Sequence, residues 1–231
     1  MIINKCLGVP KKEIEDGKHN VWIGVSLGNK WFTKENLKKL IDFSLLYTKE
    51  SLFICVPGRL HATNLRYFDN LSRADSLKKA FELGDNKLLE VQDIVSNLDD
   101  KDKSKIILGN YDDVLTPKFV KQREVLMREF AEKGEFYNSV IEISNEMIES
   151  RGRTQSNERS ESVSLYILQE LPLFLDGVVK IGTEIVYTAI FYPGLGKLDY
   201  LVADILNNNS FKNLREKLNI SYHTGIVSVE V

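Results

Sequence analysis

Two apolar runs, Val21-Trp22-Ile23-Gly24-Val25 and Leu52-Phe53-Ile54-Cys55-Val56, flank a stretch from Thr33 to Tyr47 in which Leu37, Leu40, Ile41, Phe43, Leu45 and Tyr47 are mixed with Lys34, Lys38 and Lys39. The runs have the length and character of buried strands. The middle stretch has the apolar spacing of a surface helix, with Thr33 as its N-cap. Strand, helix and strand in that order form a βαβ unit, which requires a parallel sheet covered on both faces. This constrains the fold more than any other feature of the chain. The first strand runs into Ser26, between Gly24 and Gly28, so the serine falls at a strand-to-helix corner. Ligands of open α/β sheets bind beyond such corners, and glycines let a substrate or another backbone come close. Taken alone, a filler serine in an ordinary corner remains the favoured reading.

The remaining chain extends the same architecture. Residues before His19 read as a polar, lysine-bearing lead-in. Pro57-Gly58 ends the second strand, and 62–83 reads as one helical region followed by an acidic short helix and loop over 85–102. Residues 105–109 form a third short strand. Thr116-Pro117 has the form of an N-cap with a first-turn proline, opening a helix from Lys118 towards Ser150 that Gly134 bends or breaks. A polar loop over 151–162 leads to a helix over 163–171. Residues 178–192 are rich in β-branched side chains and end at Tyr192-Pro193-Gly194. Helices over 195–206 and 211–218 precede a last strand region, 220–231, in which Val227, Val229 and Val231 alternate. No Pro/Gly/Ser-rich linker divides the 231 residues, so one domain is expected.

A formal charge of −2 excludes a globally basic nucleic-acid binder but leaves room for a local basic face. Between Pro57 and Lys79, Arg59, Arg66, Arg73, Lys78 and Lys79 outnumber Asp69 and Asp75. The three arginines recur at seven-residue spacing, which places them near one face wherever the span is helical. A solvated face and a phosphate-contacting surface are both open readings. Cys6 and Cys55 fit neither a disulfide framework nor zinc-ligand spacing. The N-terminus lacks a signal-peptide core and no run is long enough to span a bilayer, so a cytoplasmic protein without membrane attachment is expected, a monomer by default. His19, His61 and His223 are scattered, and none is positioned as a base for Ser26. Gly24 and Gly28 miss the dinucleotide spacing, Gly194-Leu195-Gly196 has Asp199 where a third glycine belongs, and no P-loop occurs. The residues thus describe a Rossmann-like fold with no cofactor and no metal.

Two further stretches carry chemistry. On a helix, Val163, Tyr166, Ile167 and Glu170 share a face, so Glu170 stands one turn from Tyr166 on an apolar stripe. A poorly solvated carboxyl has a raised pKa, which suits proton transfer or pairing with a substrate ammonium; a glutamate escaping to solvent at a helix end is the competing reading. Tyr192, before its Pro-Gly turn, reads by itself as a core aromatic.

Together the three stretches resemble the tRNA-dependent cyclodipeptide synthases. That family has a Gly-x-Ser-x-Gly-Asn turn, here Gly24 to Asn29, a later Tyr-x-x-x-Glu-x-Pro-Leu helix, here Tyr166 to Leu173, and a further tyrosine, here Tyr192. The resemblance implies a Rossmann-like three-layer α/β fold with a mostly parallel sheet, similar to the catalytic domain of class I tyrosyl- and tryptophanyl-tRNA synthetases but without their ATP motifs. It implies two aminoacyl-tRNA substrates, with Ser26 as the acyl-accepting nucleophile. Tyr166 and Glu170 would hold the substrate amino group, and Tyr192 would assist cyclisation. Trp22, Gly24, Asn29, Leu173 and Ile190 would surround the aminoacyl group, Trp22 hinting at a small first pocket. Arg66, Arg73, Lys78 and Lys79 would face tRNA, with help from Lys30, Lys34 and Lys38. Within the family Asn after the serine turn goes with Tyr-His at the later position; this chain combines Asn29 with Tyr192-Pro193. Two other readings stay open: a non-catalytic tRNA-binding module, and a serine acyltransferase or hydrolase suggested by Gly-x-Ser-x-Gly.

Overall fold

The computed structural model describes residues 1–181, 183–207 and 209–230. Its strands are β1 (Ile2–Leu7), β2 (His19–Gly24), β3 (Thr48–Val56), β4 (Ile106–Asn110), β5 (Val178–Ile181), β6 (Thr183–Val186), β7 (Ala189–Pro193) and β8 (Gly225–Glu230). Its α-helices are α1 (Lys11–Glu15), α2 (Lys34–Tyr47), α3 (His61–Phe68), α4 (Arg73–Ser96), α5 (Asp100–Lys103), α6 (Pro117–Ala131), α7 (Glu135–Ser150), α8 (Asn157–Asp176), α9 (Lys197–Asn207) and α10 (Lys212–Leu218). The main sheet has the order β1-β8-β7-β2-β3-β4, parallel throughout except for the antiparallel edge pair of β1 with β8. β5 and β6 form a separate antiparallel pair.

The layering follows from the alternation of side chains along a strand. In β2, Val21 and Ile23 point to one face and pack with Leu37, Leu40 and Ile41 of α2 and with Val91 and Ile94 of α4. Trp22 points to the other face and packs in a second core with side chains from α6 to α10. Both faces of the sheet are therefore covered, which is the expected three-layer arrangement.

Several expectations are met closely. Thr33 caps α2 by accepting a hydrogen bond from the Asn36 N–H at 3.3 Å. Thr116 caps α6 with Pro117 in its first turn, and Gly134 separates α6 from α7. Others need correction. The lead-in contains β1, Ile2-Ile3-Asn4-Lys5-Cys6-Leu7, an edge strand ordered by its pairing to β8. The span 62–83 is two helices: Asn70 adopts a left-handed φ of 55° and Ser72 caps α4 by accepting from Asp75 N–H. Arg59, Arg66 and Arg73 accordingly stand on three separate elements and share no helix face. α4 then runs on to Ser96 through Gly84, where a Cβ would stand 3.1 Å from Gly58 Cα. Close packing, not a helix end, accounts for that glycine. α8 begins at Asn157, capped by Ser156, and continues past Pro172 to Asp176. The β-branched stretch from Val178 supplies three strands, β5 to β7; Gly182, within that span, and Val231, in the alternation expected for the last strand, lie outside the described residues. Val227 and Val229 are buried on the interior strand β8, along with Ile226 before them and Ser228 between them, so its burial does not alternate. Among the described residues no helix is long and apolar enough to cross a membrane.

Gly177 ends α8 with φ 60°, and its carbonyl accepts from Tyr187 N–H at 2.8 Å, fixing the entry into β7. A Cβ at this position would collide with the Tyr187 carbonyl. Gly177→Ala should therefore cost about 3 kcal/mol or more in a urea titration. A change below about 0.5 kcal/mol would contradict this account of the turn.

Candidate active site

β2 lies where the strand order reverses, with β3 on one side and β7 on the other. The helix that follows β2, α2, packs on one face of the sheet, and the helix that follows β7, α9, packs on the opposite face. A crevice is thereby left at the carboxyl ends of β2 and β7. It is occupied by a cavity of about 370 Å³. Val25 N–H bonds the Cys55 carbonyl at 2.9 Å, extending the β2–β3 ladder one residue and delivering Ser26 directly into this crevice.

The cavity gathers Ser26 from the β2 corner, Tyr166 and Glu170 from α8, and Tyr192 from β7. Trp22, Gly24, Leu173 and Ile190 also line it. Trp22 and Ile190 are register partners on adjacent strands, so they form one continuous stretch of floor. Asn29 stands behind this wall. Its Nδ2 donates to Tyr192 Oη at 3.4 Å and its Oδ1 accepts from Trp31 N–H at 2.9 Å, tying the corner to β7. At Gly28 a Cβ would lie 2.7 Å from the tip of the Arg151 side chain, which packs over the turn there. Gly24 serves differently, leaving the space above it open.

The electrostatics of the cavity are set by burial. Glu170 is pushed up to about 7, first by loss of solvent and then by the nearby Asp199 carboxylate, while Tyr166 pulls it back by hydrogen bonding. The Tyr166 hydroxyl, which also interacts with Asn64, is held well above its ordinary range by burial and by Glu170. Burial raises Tyr192 too, against the opposing effect of Asn29 and of Ser26, whose hydroxyl is within hydrogen-bonding reach. Both tyrosines are thus neutral phenols at pH 7, and Glu170 is a carboxyl that exchanges its proton near neutrality. A serine hydroxyl, neutral phenols and such a carboxyl around one apolar cavity suit acyl transfer to an oxygen combined with deprotonation of an amine.

Some of the lining was not expected from sequence. Asp199 of α9 faces the cavity, its carboxylate raised by burial and steadied by the Gly196 N–H at 2.7 Å. In the sequence it stands out only as the residue that interrupts a glycine motif. Asn64, a buried polar residue on α3 that meets Tyr166 from outside the lining, is marked by nothing in its sequence neighbourhood. Among the described residues no histidine lines the cavity. His61 packs beneath the Gly28 turn, its pKa lowered to about 4 by burial and by Arg151. Arg66, Arg73, Lys78 and Lys79 are exposed and stand apart from the cavity, Arg66 over the Tyr67 ring and the others on α4. Lys34 and Lys38 are engaged with Asp93 and Asp42, each at 2.5 Å.

Comparison with known proteins agrees with this geometry. No curated protein matches the sequence. Among solved structures, a cyclodipeptide synthase from Staphylococcus haemolyticus superposes with a TM-score of 0.73 at 18% identity, covering 98% of each chain. A Mycobacterium tuberculosis protein, described as demonstrating that cyclodipeptide synthetases are related to type I tRNA synthetases, gives 0.71 at 16% identity, covering 94% of this chain and 87% of that one. A cyclodipeptide synthase from Candidatus Glomeribacter gigasporarum bound to Phe-tRNAPhe gives 0.55 at 14% identity, covering 92% and 88%. These likenesses establish the Rossmann-like fold. The model of the cyclodipeptide synthase family matches residues 9–209, and with that match over most of its length the chain belongs to the cyclodipeptide synthase family.

Proposed function

We propose that this enzyme condenses two aminoacyl-tRNAs into a cyclic dipeptide by a ping-pong route through Ser26. The observation that carries this reading is the convergence of Ser26, Tyr166, Glu170 and Tyr192 on one cavity at the switch point of the sheet. The Ser26 oxygen attacks the ester carbonyl of the first aminoacyl-tRNA, and the tRNA hydroxyl departs with the serine proton. Tyr192, a neutral phenol beside Ser26, is suited to relay that proton but not to abstract it. The α-ammonium of the aminoacyl-enzyme gives a proton to Glu170, with Tyr166 orienting it, and the free amine attacks the second ester. A second tRNA leaves and a dipeptidyl-enzyme remains. Its terminal amine then attacks the Ser26 ester, which closes the diketopiperazine ring and restores the serine. Both substrates arrive as activated esters, so the route needs no nucleotide site. tRNA would be held outside the cavity by Arg66, Arg73, Lys78 and Lys79.

Expression in a bacterial host, with mass spectrometry of the medium, tests the function. A diketopiperazine should appear and should be lost in Ser26→Ala. Its absence from the parent, or its persistence in the variant, would contradict the reading. If the α4 lysines hold tRNA, Lys78→Ala combined with Lys79→Ala should weaken tRNA binding and reduce its slope against log salt by about one to two, with an unchanged slope counting against this surface.

Glu170 provides a linked test. Acting as the amine's base, it must be ionised, so the rate should rise with pH and level off above about 7. Glu170→Gln should lower it by a factor on the order of 100 or more. Stability should move the other way. The folded carboxyl holds its proton up to about 7 whereas the unfolded one releases it near the ordinary 4.5, so wild-type stability falls as pH rises through that window and is flat above it. Glu170→Gln should thus match wild type at pH 4 and exceed it at pH 8 by up to roughly 3 kcal/mol. Equal stabilities at pH 8 in denaturant titrations would contradict the buried, proton-exchanging carboxyl.

A further inference from the structure

Each turnover brings two α-ammonium groups into the cavity, and each must lose a proton before its nitrogen can attack an ester. On the synthase reading given above, Glu170 takes the first. Once the dipeptidyl-enzyme has formed, the nitrogen that faced Glu170 is an uncharged amide, and the second ammonium stands one residue further along the intermediate.

The cavity holds a second carboxyl, Asp199, on the side of α9. Trp22, Ile167, Leu173 and Ile190 are buried and floor the cavity, whereas Glu146 and Ser150 of α7 are exposed at its rim with Gly196 and Lys197 at the start of α9. Asp199 is half-buried between the two levels, and a second aminoacyl group reaches an acylated Ser26 from the open side, past this rim. Its Oδ2 accepts the Gly196 N–H at 2.7 Å, which fixes the carboxylate and leaves lone pairs for another donor. Among the described residues no cation pairs with it; Lys197, two residues earlier, is engaged by Glu142 at 2.7 Å. A poorly solvated carboxylate without a cation is costly until an ammonium arrives. Asp199 and Glu170 both bear on Tyr192, whose hydroxyl is within reach of Ser26, so the two carboxyls stand around the ester to be broken. Asp199 keeps its charge where Glu170 titrates, because that charge helps to raise Glu170.

We propose that Asp199 is a catalytic residue of ring closure, the base that takes a proton from the terminal ammonium of the dipeptidyl-enzyme. This rests on the synthase reading and adds a second base to it. The freed amine forms its C–N bond with the ester carbonyl carbon, and the bond from that carbon to Ser26 Oγ breaks. The proton that the new amide nitrogen sheds passes through the neutral Tyr192 phenol to Oγ, and Asp199 returns its own proton to solvent at the rim.

The test mixes the purified enzyme with two aminoacyl-tRNAs, quenches in acid at successive times, and reads the Ser26 peptide and the released products by mass spectrometry. Asp199→Asn still accepts the Gly196 N–H but takes no proton, and Asp199→Ser serves in the same way should the asparagine variant not fold. In the variant the aminoacyl ester should form and be consumed as in the parent. The dipeptidyl ester, or the linear dipeptide that its hydrolysis releases, should accumulate, and diketopiperazine formation should fall by a factor on the order of 100. Cyclisation at the parent's rate would overturn this inference alone. So would accumulation of the aminoacyl ester, which would mean that Asp199 acts through Glu170, or an equal slowing of every step, which would mean that it only supports the fold. A parent enzyme that forms neither acyl ester nor diketopiperazine would overturn the synthase reading and this inference with it.

Discussion

The pairing of β2 in parallel with both β3 and β7 is the constraint on which the rest of the molecule depends. A strand with parallel neighbours on both sides must be buried on both faces, and its sequence, Val21-Trp22-Ile23-Gly24, is apolar throughout for that reason. Connections leaving β2 and β7 on opposite faces open the sheet at their carboxyl ends. Ser26 is the second residue beyond β2, and Tyr192 is the penultimate residue of β7. The two hydroxyls meet because the strands do. Asn29 strengthens the same junction from behind, and α8 supplies Tyr166 and Glu170 from the layer above.

The cavity built there is energetically unfavourable in two places. Glu170 is poorly solvated and close to a second carboxylate, so its ionised form is disfavoured in the folded protein. That same cost brings its proton affinity close to that of the working solution, where a proton can be both taken and returned. Trp22 is packed as tightly as any core residue yet leaves its N–H unmet. The stable part of the fold, the two cores on either face of the sheet, offsets both.

What the sequence disclosed follows the range of the interactions involved. The βαβ unit, the Thr33 and Thr116 caps and the Gly134 break are written in neighbouring residues, and each stands where its chemistry places it. Tyr166 and Glu170 share a helix face by simple periodicity. The convergence of those two with Ser26 and Tyr192 was legible only through the family's ordered motifs, since no periodicity reports which strand ends meet. The edge strand β1 was not legible, because its order comes from β8, over two hundred residues away. The break between α3 and α4 is written locally in Asp69-Asn70-Leu71-Ser72, a stop-and-restart signal masked by the helical spacing on either side of it. Asp199 and Asn64 were missed because a polar residue announces nothing until its surroundings are apolar.

The central claim is that Ser26 carries the acyl group. The most direct measurement mixes the enzyme with a single aminoacyl-tRNA, quenches in acid and maps the adduct by peptide mass spectrometry. The account predicts one aminoacyl residue in ester linkage on the peptide containing Ser26, absent when that residue is alanine. Diketopiperazine formation with no ester on Ser26 at any time after mixing would contradict it.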